Sequence, residues 1–360
     1  MLPPDKRGTT PPQDVLGLIR SDTLSEAQLE GVSSFGAFTE LEVELSPEMI
    51  LLLSGRYDHF MVDAKDKLLT DGSDDSGSRT LSHFSPSVGF LYRLSRYSSA
   101  YANVSTGFQV PILRELRNRF LGAGGLNYDV QPEIVRTVEI GLKGVVLDSR
   151  FTYDLSLFNA TYNDMLISYQ ISDGSDTYYK NAGRAINRGI EGKLQWELME
   201  GLKGSLAVTM MDFVFDDYVV EQEVSGQIVS FQLKDKKVPT VSPTRVYLGG
   251  SYRHSSGIFS EVYVQWVDKT FLNDFNDTPP GETTPNSQYI NDAYTNVDAR
   301  FGYTQRISGV EVELFGGVNN VFDKHYIASV VPNATRERFF EPSPGRNWYA
   351  GLRILFTALR

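Results

Sequence analysis

Residues 346–356 read Arg346-Asn-Trp-Tyr-Ala-Gly-Leu-Arg-Ile-Leu-Phe356, and their alternation decides the fold. From Trp348 on, every second residue is apolar: Trp348, Ala350, Leu352, Ile354 and Phe356 share one face. Asn347, Gly351 and Arg353 take the other, together with Tyr349 and Leu355. A period of two is that of a β-strand with one greasy and one wet side. Trp348 and Phe356 stand eight residues apart on the apolar face, about 26 Å at the rise of a strand. That is the height of a lipid-facing apolar band edged by aromatics, reduced somewhat by strand tilt.

The pattern recurs upstream. In 309–321, Val310, Val312, Leu314 and Val318 oppose Glu311, Glu313 and Asn319, with Phe315 the exception. In 190–198, Ile190, Leu194, Trp196 and Leu198 oppose Glu191, Lys193, Gln195 and Glu197. Val138, Ile140 and Leu142 oppose Thr137, Glu139 and Lys143, and Ala100, Ala102, Val104, Phe108 and Val110 oppose Asn103, Ser105 and Gln109. About thirteen such strands fill residues 32–356, and many run 11 to 15 residues. Globular sheets average roughly 5–6, and a tilted membrane strand needs roughly 9–11.

The connections switch strictly between short and long. Tight turns fall near Ser46-Pro47, Ser95-Arg96, Asp148-Ser149, Met199-Glu200, Ser255-Gly257 and Ile307-Ser308, and long loops near 63–80, 110–133, 164–183, 216–241, 271–291 and 323–345. A soluble sandwich mixes loop lengths at both ends, whereas an outer-membrane barrel has short periplasmic turns and long extracellular loops. The expected architecture is therefore all-β: a transmembrane antiparallel β-barrel, present as about thirteen strands of a 22-stranded type.

Composition agrees. The 360 residues are 41% hydrophobic, with mean hydropathy −0.25, and no stretch approaches the roughly 18 consecutive apolar residues of a membrane helix. A barrel needs only one apolar face per strand. Nineteen Tyr and 21 Phe suit strands and interfacial girdles. The formal charge of −11, from 34 basic and 45 acidic residues, argues against a nucleic-acid surface. Zero cysteines exclude disulfide staples. The opening Met1-Leu-Pro-Pro-Asp-Lys-Arg-Gly-Thr-Thr-Pro-Pro12 lacks the layout of a secretory signal.

Three stretches resemble TonB-dependent outer-membrane receptors. Tyr101-Ala-Asn-Val-Ser-Thr-Gly-Phe-Gln-Val-Pro111, then Gln131-Pro-Glu133 and Thr137-Val-Glu-Ile-Gly-Leu-Lys-Gly144, are similar to the family's middle barrel. Tyr162-Asn-Asp-Met-Leu-Ile167, Tyr179-Lys-Asn-Ala-Gly-Arg-Ala185 and Asn187-Arg-Gly-Ile-Glu-Gly192 resemble its Asn-Ala-Gly segment and the strand beyond it. Gly317-Val-Asn-Asn-Val-Phe-Asp323, followed by Pro342-Ser-Pro-Gly-Arg346 and the terminal strand, resembles its C-terminal signature. Phe356 departs from that signature in being followed by Thr-Ala-Leu-Arg, and Pro111 follows Gln109-Val110 where haem-type receptors show Arg-Ala-Pro.

The resemblance implies a non-enzymatic outer-membrane receptor of a Gram-negative bacterium that takes up a scarce ligand, most often a ferric siderophore. Its partners would be that ligand, outer-membrane lipid and lipopolysaccharide. TonB would join them only where a plug domain is present. The expected organisation is a loop-like polar segment at 1–31 and the C-terminal part of a receptor barrel at 32–360, without signal peptide or plug.

Ligand-contacting candidates lie in the long loops. Arg114, Arg117 and Arg119 in one, and Arg336, Arg338 and Arg346 with Phe339 and Phe340 in another, combine guanidinium forks with aromatic faces suited to anionic iron chelates. The bland alternative is that they brace the loops or meet lipopolysaccharide phosphates. Tyr178 and Tyr179 line the mouth or, preferably, join an interfacial girdle. The Asp-rich runs 71–75 and 273–277 do not fit a calcium loop and read as solvated. The four histidines show no metal-ligand spacing, no cofactor is implied, and no catalytic set can be picked out. Alternative readings are a plugless porin-like passive channel and a soluble carbohydrate-binding or adhesin module, with an outer-membrane enzyme behind them. Counting back through the alternations makes the first strand, expected at 32–45, run in the same direction as the last. The expected sheet is therefore open and curved, or closed by a strained pairing of those two edges.

Overall fold

The computed structural model describes residues 27–71, 74–116, 126–169, 178–224, 227–278, 285–333 and 340–356. Eight strands come first: β1 (Gln28–Ser46), β2 (Met49–Asp66), β3 (Gly77–Ser95), β4 (Ser98–Gln109), β5 (Glu133–Val146), β6 (Phe151–Tyr169), β7 (Tyr178–Met199) and β8 (Leu202–Asp217). A hairpin of β9 (Val219–Val224) and β10 (Gln227–Gln232) precedes β11 (Thr244–Arg253) and β12 (Ile258–Val267). A two-residue ladder of β13 (Thr270–Phe271) and β14 (Ile290–Asn291) leads to β15 (Tyr294–Ile307) and β16 (Val310–Asn319). The paired β17 (Ile327–Val330) and β18 (Phe340–Pro342) lead to β19 (Asn347–Phe356).

Thirteen of these strands form one antiparallel sheet in the order β1-β2-β3-β4-β5-β6-β7-β8-β11-β12-β15-β16-β19. The six minor strands are decorations on three of the long loops. All six tight turns fall where the alternation places them. Four of them carry left-handed residues suited to short turns: Leu147, Asp148 and Ser149, then Gly201, Gly257, and Ser308 with Gly309, all have positive φ.

Several boundaries differ from the expected ones. β1 reaches back to Gln28, because its ladder with β2 runs unbroken from Gln28↔Asp66 to Glu44↔Ile50. The expected long loop at 164–183 is mostly ladder: β6 and β7 remain paired out to Tyr169↔Tyr178. Asp164 takes a left-handed φ of 56° within this ladder, and the register is the same on both sides of it. The stretch 216–241 likewise contains a hairpin. Polar, turn-rich sequence conceals such extensions, because above an apolar band a strand no longer needs a greasy face.

The two faces differ as the alternation requires. Outward positions are apolar and exposed: Val138, Ile140 and Leu142 on β5, Leu155 and Leu157 on β6, Ile190 on β7, Phe301 on β15, Leu314 on β16, Leu352 and Ile354 on β19. Inward positions carry the charges. On β7 and β8 the outward apolar run stops at charged pairs. Arg188 stands opposite Asp212, 3.0 Å away, and Lys237 also bonds Asp212, while Arg184 pairs with Asp216 further along. From Ile190 to Leu198 the apolar run is about 26 Å long.

β1 and β19 are the two edges of the sheet, and among the described residues no ladder joins them. β1 ends at the turn into β2, and Phe356 of β19 pairs with Val310 beside the turn at Ser308. Both edges therefore run from the long-loop end to the short-turn end, parallel to each other. The sheet is an open portion of barrel wall, as the strand count requires.

Candidate functional site: the long-loop mouth and the inner wall

Long loops fold back over the inner face rather than projecting freely. Ile167 on β6, Ala185 on β7 and Phe215 on β8 face inward near the long-loop end, and Tyr218, Val220, Leu233, Val238 and Phe275 bury against them. Apolar side chains from the 218–243 loop thus find a core on the barrel wall. A second cluster joins Val62 and Ala64 of β2 to Leu116, Leu126 and Val130 of the 110–132 loop.

The first cluster holds a polar junction of three loops. Tyr218 donates its hydroxyl to Asp274 Oδ2 at 3.2 Å, and the Asp274 backbone N–H donates to Asn333 Oδ1 at 3.1 Å. Lys180 on β7 donates to the Val219 carbonyl at 3.1 Å, with its ammonium 5.8 Å from the Tyr218 ring centre. Burial raises the Asp274 carboxyl above its usual range, opposed by bonds from Asn333 and Tyr218 and by the Lys180 charge. Burial and then the neighbouring Asp274 push the Tyr218 hydroxyl far up as well. Asn276 completes the junction, accepting from Lys237 N at 2.8 Å and donating to the Lys237 carbonyl at 2.9 Å.

The run 273–277 is therefore not solvated. Asp274 and Asn276 are each 5% exposed and Phe275 8%. Asp274 and Asn276 serve as loop ties through their side chains, which a reading of acidic composition alone does not reveal.

The 110–132 loop is pinned at its feet. Asn181 grips Gln131 in both directions, accepting from its N–H at 2.7 Å and donating to its carbonyl at 2.8 Å. Arg79 donates to the Asn127 carbonyl at 3.0 Å, and Tyr128 donates its hydroxyl to the Ser78 carbonyl at 3.3 Å. Arg114 sits in a helical turn of this loop, Leu113–Leu116, but its side chain lies outside the described residues. Arg117, Arg119, Arg336, Arg338 and Phe339 also lie outside them. Tyr178 opens β7, its side chain likewise outside the described set, and Tyr179 is half-buried opposite Ser168. Both tyrosines lie on ladder beyond the Arg184–Asp216 and Arg188–Asp212 pairs, away from the edge of the apolar run where a girdle would sit. Arg346 donates its backbone N–H to Asp323 Oδ1 at 2.8 Å and its guanidinium to the Val321 carbonyl at 3.4 Å, so it braces its own loop.

Sequence reading missed the charged seam on the inner wall. Glu313 on β16 is 3% exposed at its side chain and accepts from Arg300 Nη2 at 2.7 Å and from Arg353 Nη2 at 3.2 Å. Arg300 also reaches Glu261 at 3.5 Å and lies 4.4 Å from the Phe315 ring centre and 5.1 Å from that of Phe259. Phe315 lies flat over Gly351 on β19, where a Cβ would come within 2.4 Å of the ring. The available signal was parity. Glu261, Arg300, Glu313 and Arg353 occupy inward positions of four successive sheet strands, Glu261 opposite Arg300 and Glu313 opposite Arg353.

Long antiparallel strands, an apolar outer face, a charged inner wall and loops folded inward at one end define a portion of a large membrane-type barrel. Residues 7–321 match the family model described as TonB dependent receptor-like, beta-barrel, and the chain belongs to that family. It is 26% identical over 309 residues to the ferripyoverdine receptor of Pseudomonas aeruginosa, covering 82% of this chain and 32% of that protein. It is 25% identical over 253 residues to the rhizobactin receptor of Rhizobium meliloti, covering 67% and 29% respectively. The siderophore receptor PiuA from Acinetobacter baumannii shares the fold, with a TM-score of 0.71 at 19% identity over 91% of this chain and 44% of that one. The chain thus spans about a third of the curated relatives it matches.

Proposed function

We propose that this chain supplies the C-terminal wall and much of the outer mouth of an outer-membrane receptor for a ferric siderophore, with uptake driven through TonB in the complete receptor. One observation carries the membrane assignment: the continuous apolar outer face, bounded on β7 and β8 by charged pairs. Soluble monomers rarely expose apolar patches beyond a few hundred Å², and this face spans all thirteen strands. The short turns then face the periplasm and the long loops the exterior.

The ligand class rests on two curated relatives that are receptors for ferripyoverdine and rhizobactin. The candidate contacts remain Arg114, Arg117, Arg119, Arg336 and Arg338, with Tyr178 and Tyr179 at the top of β7. Arginine forks would meet the chelate's anionic oxygens, and tyrosine faces its aromatic or alkyl parts. The polar-wall, loop-capped geometry is that of a binding mouth rather than of a catalytic centre.

The test is binding of ferric pyoverdine and ferric rhizobactin to the chain refolded in lipid vesicles, read by quenching of its intrinsic fluorescence. Saturable quenching that weakens when Arg114, Arg117 and Arg119 are together changed to Ala supports the assignment. Passive flux of small solutes through the vesicles, without saturable binding, would favour a porin-like channel instead.

A further inference from the structure

Arg245 stands apart from the charged seam. Arg300 and Arg353 are engaged by Glu261 and Glu313, whereas the Arg245 side chain is exposed and, among the described residues, makes no hydrogen bond or ion pair. It is the second residue of β11, at the long-loop end. Pairing sets it opposite Val267 of β12, and Val267 opposite Tyr294 of β15, so the three share one rung of the inner face. Glu191 lies on the same rung, two strands to the other side.

Aromatic faces flank this cation in two directions. Tyr294 stacks on Tyr326, with ring centres 4.2 Å apart and planes 18° from parallel, and both tyrosines are half-buried. Tyr326 comes from the loop after β16 and is fixed there by its carbonyl, which accepts from Ser343 N at 3.0 Å. The buried Val267 fills the floor between this pair and Arg245, which stands two strand spacings, about 10 Å, from Tyr294 along the rung. The Arg245 charge reaches the Tyr294 hydroxyl. One rung further in, Tyr247 stacks on Tyr263 at 5.7 Å and 24°, and Tyr247 is 41% exposed.

A cation between two flat faces over an apolar floor discriminates among iron chelates by shape. A catecholate arm offers a planar ring for stacking and adjacent oxyanions for the guanidinium fork. Hydroxamate and citrate arms lack the ring. We infer that Arg245, with Tyr294, Tyr326 and Tyr247, forms a subsite on the inner wall for the catecholate-type aromatic arm of a ferric chelate, selecting that class over hydroxamates and citrate. The assignment rests on the receptor reading proposed above and narrows its ligand. The subsite is separate from the loop arginines and from Tyr178 and Tyr179. It takes the aromatic arm of a ligand that those loops have captured.

The test uses the whole chain refolded in lipid vesicles and equilibrium dialysis against radioactive ferric complexes of dihydroxybenzoate, acetohydroxamate and citrate, with empty vesicles as the blank. The dihydroxybenzoate complex should bind saturably and about fivefold or more tighter than the other two. Arg245→Gln should weaken it about tenfold. Tyr326→Leu should weaken it about fivefold, to the level of the citrate complex, while Tyr326→Phe, which keeps the stack, binds as the parent does. Lys193→Gln, on the inner face of β7 and outside the subsite, should change nothing. Equal binding of the three complexes, or dihydroxybenzoate binding indifferent to Arg245→Gln and Tyr326→Leu, would overturn the subsite and leave the receptor reading standing. So would binding of ferric pyoverdine without binding of the dihydroxybenzoate complex. Failure of every ferric complex to bind, pyoverdine included, would instead overturn the receptor reading itself.

Discussion

Glu313 and Arg353 face each other across the last ladder of the sheet, their charged groups 3.2 Å apart, with Arg300 completing the seam from the other side at 2.7 Å. The shared carboxylate is buried and both guanidinium groups reach solvent, so Glu313 is the member whose loss removes a partner from two arginines at once. Glu313→Ala should lower stability by about 1–3 kcal/mol, and Glu313→Gln by less, since the amide oxygen still accepts a hydrogen bond. Urea unfolding of the vesicle-refolded chain measures both. Equal effects of the two substitutions would show that the seam acts by charge alone, because Gln keeps the size of Glu.

The loop junction should respond to pH. Asp274 has its carboxyl raised by burial above the ordinary 3.8. A carboxyl with a raised folded-state value holds its proton more tightly when packed, so the junction is firmest when Asp274 is protonated. It loosens as pH climbs from about 3.8 through the raised value. Amide protection at 272–276, corrected for intrinsic exchange, should fall over that window in the parent chain. It should stay flat in Asp274→Asn, which keeps an acceptor for Tyr218 without the charge.

A single substitution separates a lipid-facing wall from a water-facing one. Ile140 on β5 is outward and 52% exposed. In water, Ile140→Arg would be neutral or improve solubility. At a bilayer midplane it costs about 2–4 kcal/mol. Refolding yield into vesicles should drop sharply for Ile140→Arg and hold for Thr137→Arg, which lies on the inward face of the same strand.

Strand parity made most of the wall readable from sequence. One-face alternation at Trp348, Leu352 and Phe356, or at Ile190, Leu194 and Trp196, reports a surrounding solvent, and a tight turn must fall where alternation restarts. The mouth was less legible, because its structure depends on contacts between distant loops. Nothing local to Asp274 announces Tyr218 56 positions earlier or Asn333 59 positions later. The top of the β6–β7 hairpin was hidden for a different reason. Beyond the Arg188–Asp212 pair the outward residues need no longer be apolar, so the pattern that marks a strand stops before the strand does.

All three tryptophans, Trp196, Trp266 and Trp348, occupy outward positions on β7, β12 and β19. Native tryptophan emission in vesicles containing lipids brominated on their acyl chains therefore tests the barrel-wall assignment most directly. A membrane wall predicts strong quenching by the brominated lipid and little by aqueous acrylamide. Emission open to acrylamide and indifferent to bromine would contradict it.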